Sequence, residues 1–363
     1  MNGLIRIAER FATGAPVLSV VPFGSGLIND TYLVRAGGAG FVLQRINPRV
    51  FPAPERIMAN LAVLAEHLAA RADPGLRLPE LIPATDGAPF VRDAEGRVWR
   101  LLSLIPDACA PPRVETEAQA AEVGRVLGTF HRLVSDLPPE RLGLTLPGFH
   151  DTPAYLARFT QVLRQSGGAC HTPAVRAAVR EVAALRRGVD VLVAARREGL
   201  IPERVTHGDP KLDNVLFDRA GRRAVSLVDL DTVQPGLWLQ DLGDCVRSSC
   251  NRCGEAPSGG AQAQLDLRLF AAFLGAYAAE TRGLLTPAEI ALVFEAVRLI
   301  PLELGLRFLT DHLEGDRYFR VSAPGENLVK ARVQFALAAD VVRQERAIRA
   351  LVDDCFAGGG NGG

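Results

Sequence analysis

The residues best suited to chemistry lie together in Val205-Thr206-His207-Gly208-Asp209-Pro210-Lys211-Leu212-Asp213-Asn214-Val215-Leu216-Phe217, followed by Leu227-Val228-Asp229-Leu230-Asp231. The order is an apolar lead-in, a sharp polar loop, an apolar strand, a turn at residues 218–221 and a second apolar strand ending in carboxylates. Phosphoryl transfer uses such a set. Asp209 could accept the proton of an attacking hydroxyl, and Lys211 could neutralise the moving phosphoryl group. Asn214 and Asp229 offer hard oxygen ligands for Mg²⁺.

The spacing Asp-x-Lys-x-x-Asn resembles the catalytic loop of protein kinases in the positions of its base, lysine and metal-binding asparagine. Gly208 follows His207 where those kinases carry arginine, a form seen in the aminoglycoside phosphotransferase and choline kinase superfamily. A polar hairpin loop whose Asp and Asn serve turns and caps is the plain alternative. The strand–turn–strand context favours the chemical reading.

The chain has 363 residues, longer than one typical core, so two lobes are expected. Hydrophobic content of 48% and charged content of 23% describe an ordinary globule, and a formal net charge of +0 gives no basic footprint for nucleic acid or an anionic membrane. The start lacks the apolar core of a signal peptide, and no apolar run spans a bilayer, so a cytoplasmic location is the expectation. The six cysteines are scattered, which suits a reducing compartment, and Cys250-Asn-Arg-Cys253 is half a zinc site without its second half. Lysine is nearly absent, with Lys211 and Lys330 the whole supply.

Around the loop the chain divides in two. Residues 4–13 read as a short helix. Runs at 17–23, 27–35 and 41–46 read as strands, 55–71 as an amphipathic helix with Ile57, Leu61, Leu64 and Leu68 on one face, and 89–92 and 98–104 as two more strands. Ile105-Pro106-Asp107 would lead out as a hinge. Residues 117–134, 153–165, 173–198, 265–281, 287–313 and 326–351 read as helices, with Pro301 expected to kink one of them. Gly124 and Gly128 lie on one helix face and would permit close packing.

Within the first lobe, Gly24-Ser25-Gly26 is a candidate phosphate-covering loop, because glycine lets backbone N–H groups approach phosphate. Kinases also place a cation on the third strand against the nucleotide phosphates. This lobe has no lysine, so Arg45 is the candidate, although Gln44 and Arg45 face opposite sides and either could meet the cleft. Glu55 or Glu66 could pair with that arginine, or both could be solvated. In the second lobe His131 reads as a core or boundary histidine, and His150 and His171 carry no motif. Asp241 reads either as a brace for the catalytic loop or as a helix cap. Asp231 is a second metal ligand or a sugar contact. Arg307 and Asp311, one turn apart and beside His312, are either a surface ion pair or an acceptor-site wall.

Gly24-Ser25-Gly26-Leu27-Ile28-Asn29-Asp30-Thr31-Tyr32, Val42-Leu43-Gln44-Arg45-Ile46-Asn47, the catalytic loop, Val228-Asp229-Leu230-Asp231-Thr232-Val233-Gln234-Pro235-Gly236 and residues 305–319 together resemble the N-acetylhexosamine 1-kinases. The resemblance implies an α+β, bilobal, protein-kinase-like fold. Residues 1–105 would form a β-rich nucleotide lobe with one main helix, 106–357 a helical catalytic and acceptor lobe, and 358–363 a Gly-rich tail expected to be disordered. It implies transfer from ATP, with Mg²⁺, to the anomeric hydroxyl of N-acetylglucosamine or N-acetylgalactosamine. Asp209 and Lys211 would be catalytic and Asn214 and Asp229 would hold the metal. Gly24, Ser25, Gly26 and Arg45 would meet the nucleotide, and Asp231, Arg307 and Asp311 the sugar. A kinase for choline, homoserine or an aminoglycoside is the alternative enzyme, and a nucleotide-binding pseudokinase the alternative from another class.

Overall fold

The computed structural model describes residues 2–24, 28–69, 71, 73, 75–167, 172–253 and 263–357. The fold is α+β and bilobal, a kinase-like arrangement of an antiparallel N-terminal sheet with its helix and a larger helical lobe. The first lobe runs α1 (Asn2–Ala8), β1 (Val17–Pro22), β2 (Asp30–Ala36), β3 (Ala39–Arg45), α2 (Glu55–Leu68), β4 (Leu81–Ile82), β5 (Val91–Arg92) and β6 (Val98–Ser103). Its strands order as β1-β2-β3-β6-β4, with β5 also on β6, and every pairing is antiparallel. The two-residue β4, wedged between Pro79 and Pro83, has too little pattern to read from sequence.

Strand alternation divides this sheet into two faces. Phe41 and Leu43 on β3, with Trp99 and Leu101 on β6, bury against Phe11 on the outer side. Val42 and Leu102 point the other way, toward Ile57, Met58, Leu61 and Leu64 of α2 and the second lobe. Gln44 lies opposite Arg100, and Arg45 opposite Trp99. That register decides which polar side chains enter the cleft.

Past the crossing, β7 (Ala108–Cys109) joins the second lobe by pairing with β9. The rest is α3 (Glu117–Leu133), α4 (Thr152–Gln165), α5 (Pro173–Leu185), α6 (Val191–Arg197), β8 (Arg204–Thr206), β9 (Val215–Asp218), β10 (Ala224–Leu227), β11 (Gln234–Gly236), α7 (Trp238–Ser249), α8 (Leu267–Glu280), α9 (Pro287–Ala291), α10 (Val293–Leu313), α11 (Glu326–Arg343) and α12 (Glu345–Ala357). Three segments expected as single helices are split. The 173–198 stretch breaks before Gly188, whose φ of 62° no continuing helix adopts, and the others break at Leu292 and Gln344.

Gly124 and Gly128 act as expected. A Cβ at Gly124 would meet the Phe273 carbonyl oxygen at 2.1 Å, and one at Gly128 would meet Glu280 Cβ at 2.6 Å, so α3 and α8 touch backbone to backbone. α10 is apolar around most of its circumference, as a helix buried at the centre of a lobe must be. Pro301 lies inside it. Among the described residues no helix is long and apolar enough to cross a membrane. The Gly-rich tail, Cys170 and His171 lie outside the described residues.

Candidate active site

β8 and β11 pair through Thr206 and Gln234, and β9 and β10 form a hairpin, so the loop between β8 and β9 is held at both ends. Asp241, in the first turn of α7, fixes its centre. Its carboxylate accepts the backbone N–H groups of His207 at 2.7 Å and Gly208 at 2.8 Å. Asp241 is therefore the brace, and it is wholly buried. His131 is the core histidine expected. It stacks on Trp238 at 4.5 Å, and burial lowers its pKa to keep it neutral. Its Nε2–H donates to Asp241 at 3.0 Å, and its Nδ1 accepts from Tyr277 at 2.9 Å.

His207 ties the loop to the metal-side hairpin. Burial lowers its pKa, and the neutral ring donates from Nε2 to the Val228 carbonyl at 3.1 Å. Gly208 has φ of +87°, and a Cβ there would lie 2.5 Å from the Thr232 carbonyl oxygen. Only glycine fits, which is why arginine is missing from this position.

The loop then presents Asp209. Its Oδ2 accepts from Lys211 Nζ at 2.6 Å and from Asn214 Nδ2 at 3.2 Å. Burial would raise its pKa, but the Lys211 ammonium outweighs this and holds the carboxyl below its ordinary value, ionised and ready to take a proton. Asn214 Nδ2 also donates to the Asp209 carbonyl at 2.8 Å, and its Oδ1 makes no hydrogen bond among the described residues. The Val228 N–H donates to the Asn214 carbonyl at 2.9 Å, which brings Asp229 beside it. Asp229 takes the left-handed conformation, φ 64°, and its carboxylate accepts no hydrogen bond among the described residues. Desolvation in the cleft, then repulsion from Asp231 and Asp209, pushes it up to about 7. Asp229 itself remains exposed to solvent. A free amide oxygen and a crowded carboxylate are the hard donors Mg²⁺ takes, so these residues fit that ion.

Across the cleft the expected cation is elsewhere. Arg45 lies on the outer face of the sheet, ion-paired with Asp30 and stacked over Trp99 at 5.8 Å, so it does not face the nucleotide side. The pairing of α2 acids with it also fails, because Glu55 meets Arg92 and Glu66 meets Arg141. The inner face carries Gln44 and Arg100. Arg100 donates to Gln44 Oε1 from Nε at 3.0 Å and from Nη2 at 2.6 Å, and it ion-pairs with Asp231. Asp231 is therefore buried in this pair, its other oxygen accepting from Asn29 Nδ2 at 2.7 Å. The Asn29 amide oxygen accepts from the Asn47 N–H at 3.0 Å. Three sequence blocks far apart in the chain meet here, at the lobe junction. Of the glycine loop only Gly24 is described, with φ of +74°, while Ser25 and Gly26 lie outside the described residues.

Between α4 and α10 opens a cavity of about 330 Å³, bounded by Val50, Phe149, Tyr155, Arg307, Asp311, Tyr318 and Phe319 among others. The Arg307 guanidinium sits 5.3–5.8 Å from the ring centres of Phe149, Tyr155, Tyr318 and Phe319, with no hydrogen bond or ion pair among the described residues. Burial opposes its charge, but Tyr155, Tyr318, Glu303 and Asp209 together raise its pKa. Asp311 is not its partner. Its carboxylate accepts the N–H groups of Arg317 and Tyr318 at 2.8 Å and of Phe319 at 2.9 Å, and Asn327 Nδ2 at 3.0 Å. Asp311 thus folds the turn that brings the two rings to the cavity, which it also lines.

His150 links this wall to the catalytic loop. Its Nδ1 meets Glu303 Oε1 at 2.8 Å and its Nε2 meets the Gly208 carbonyl at 2.8 Å. Two acceptors require two ring N–H groups, hence an imidazolium. Burial works against that charge, but Glu303 and the Gly208 carbonyl prevail and carry the pKa up to about 9. Sequence reasoning passed over His150, Glu303 and Arg100. The available signal was a charged residue inside an apolar element: Arg100 in Val98-Trp99-Arg100-Leu101-Leu102, and Glu303 between Leu302 and Leu304.

Solved structures share this architecture. The chain is similar to a microcompartment-associated aminopropanol kinase, with a TM-score of 0.65 and 20% identity over 96% of this chain and 98% of the other. It is similar to choline kinase from Cryptosporidium parvum Iowa II at a TM-score of 0.61 and 12% identity, covering 98% and 99%. It is also similar to aminoglycoside 2′-phosphotransferase-IIIa, solved as its GDP complex, at a TM-score of 0.58 and 14% identity, covering 88% and 93%. At these identities the likeness is one of fold. The family assignment rests on the sequence itself. Residues 19–282, from β1 through the catalytic loop and its brace to the end of α8, match the model of the phosphotransferase enzyme family (APH), and the chain belongs to that family.

Proposed function

We propose that the cleft transfers the γ-phosphoryl group of Mg·ATP to a hydroxyl of a small uncharged acceptor, and that N-acetylhexosamines attacked at the anomeric hydroxyl are that acceptor. Asp209, ionised and hydrogen-bonded in the braced loop, takes the hydroxyl proton as the new P–O bond forms and the β,γ-bridging bond breaks. Lys211 places a positive charge beside the group in flight. Mg²⁺, held by Asn214 and Asp229, would neutralise charge on the phosphates when bound. The glycine loop, ATP preference and sugar contacts come from the resemblance in sequence.

One observation carries the choice of an uncharged acceptor: the aromatic cage around the cavity already holds a cation, the chain's own Arg307. A quaternary ammonium or aminoglycoside amine entering there would meet a guanidinium with no counter-ion. The nearby carboxylates are taken, Glu303 by His150, Glu314 by Arg158 and Asp311 by the turn it folds. A free guanidinium suits hydroxyl and acetamido oxygens instead. Asp311 lines the cavity beside Arg307, and Asp231 lies at the lobe junction, paired with Arg100.

The second reading is a kinase for an amino alcohol or aminoglycoside, the acceptors after which the three similar proteins are named, and those neighbours favour it over the sugar. α10 lies beyond the span matched by the family model, so family membership does not decide between the two. ATP turnover with N-acetylglucosamine, N-acetylgalactosamine, choline, aminopropanol and an aminoglycoside separates them. Sustained turnover with the sugars and little with the cationic acceptors is expected. Strong turnover with a cationic acceptor and none with a sugar would replace the first reading with the second.

A further inference from the structure

The N-terminal lobe has no lysine, and the arginine on its third strand faces away from the cleft. The position facing inward is Gln44, a neutral amide. A phosphotransferase cleft without a cation on its upper wall would leave the nucleotide phosphates to the metal and Lys211 alone. Yet a cation is present, one strand over. Arg100 on β6 stands directly opposite Gln44, is 1% exposed, and reaches through the lobe junction to Asp231, two residues beyond Asp229.

Its hydrogen bonding is incomplete. Nε and Nη2 are held by Gln44 and Asp231, whereas Nη1 is buried with no partner. A buried guanidinium nitrogen without an acceptor is costly and rare. The rest of the group is fixed on two sides, so this nitrogen is preorganised for an oxygen that arrives with a ligand. Asp231 supplies the counter-charge that fixes the aim of Arg100; Asn29 holds Asp231, and Asn47 holds Asn29.

Resting on the reading of the cleft as a nucleotide site, we propose that Arg100 is the phosphate-binding cation of the upper lobe. In this chain the charge has moved from the third strand to the neighbouring strand, with Gln44 as its orienting acceptor and Asp231 as its anchor. An arginine held from two sides presents a fixed donor to phosphate oxygen, which a lysine on a flexible stem does not. Arg45 has no role in binding.

Nucleotide binding without acceptor tests this, measured by calorimetry on the full chain with ATP, ADP and adenosine, each in Mg²⁺. Arg100→Met is expected to weaken ATP and ADP by about 10- to 100-fold, the range for a hydrogen bond to a charged group, and to leave adenosine unchanged. The double variant Arg100→Met/Asp231→Asn removes the orphaned carboxylate and should show the same selective loss. If the single variant does not fold, the double variant decides. Arg45→Ala should bind all three as wild type does. ATP affinity unchanged in a folded Arg100 variant overturns the assignment, as does an equal loss of adenosine, which would make Arg100 only a staple between lobes. A wild-type chain that binds no nucleotide would overturn the underlying reading as well.

Discussion

Asp209→Asn is expected to lower kcat on the order of 10³-fold, within the range for loss of a general base, while Mg·ATP affinity stays within about twofold. The substitution is close to isosteric. The Asp209 carbonyl still accepts from Asn214, and Asp241 still braces the two preceding N–H groups. What disappears is the ionised oxygen that Lys211 now holds at 2.6 Å. Steady-state kinetics with single-turnover measurements would separate binding from chemistry. Turnover near wild type at several pH values would remove Asp209 from the base role. A parallel loss of nucleotide affinity would mean that the loop, rather than the base, had been damaged.

Asp229→Asn should be nearly as severe, on the order of 10³-fold in kcat/KM, because a bound divalent ion contributes several kcal/mol of charge stabilisation. Asparagine is the cleaner choice over alanine here, since it tolerates the left-handed backbone that Asp229 adopts. The defect should shrink as Mg²⁺ is raised, which titration at fixed ATP would read. Asn214→Ala should cost less, because an amide oxygen supplies a ligand without charge. Equal and Mg²⁺-independent defects in the two variants would assign them a structural role instead.

The clustering of Asp209, Lys211 and Asn214 in one candidate loop was legible in the sequence because its members are contiguous. Base, lysine and asparagine lie within one turn-bounded segment whose spacing alone carries the chemistry. Asp241 was half legible, since a first-turn aspartate caps a helix and braces a neighbouring loop with the same atoms, and only the distances to His207 and Gly208 separate the two. Which of Gln44 and Arg45 faces the cleft was not legible because strand parity has no absolute reference in sequence. Gln44 and Arg45 alternate correctly, but which face is inner depends on where α2 and Phe11 pack. The partners of Asp311 and Asp231 were not legible, because the turn N–H groups around Asp311 and the Arg100–Asn29 pair around Asp231 come together only in the fold. The long helices were overextended where polar and apolar periodicity continued across breaks made by a single residue such as Gly188.

Two groups carry the proposed acceptor reading. The anomeric hydroxyl of a free amino sugar is more acidic than an ordinary alcohol, so under that reading one carboxylate with a lowered pKa, Asp209, would be an adequate base. Arg307, which lines the cavity, would favour polar oxygens over amines there. The most direct measurement compares N-acetylglucosamine and N-acetylgalactosamine with their methyl glycosides, which lack only the free anomeric hydroxyl, and identifies the product. The free sugars should give an acid-labile 1-phosphate and the methyl glycosides should be inert as acceptors. Efficient phosphorylation of a methyl glycoside, at another hydroxyl, would contradict anomeric transfer.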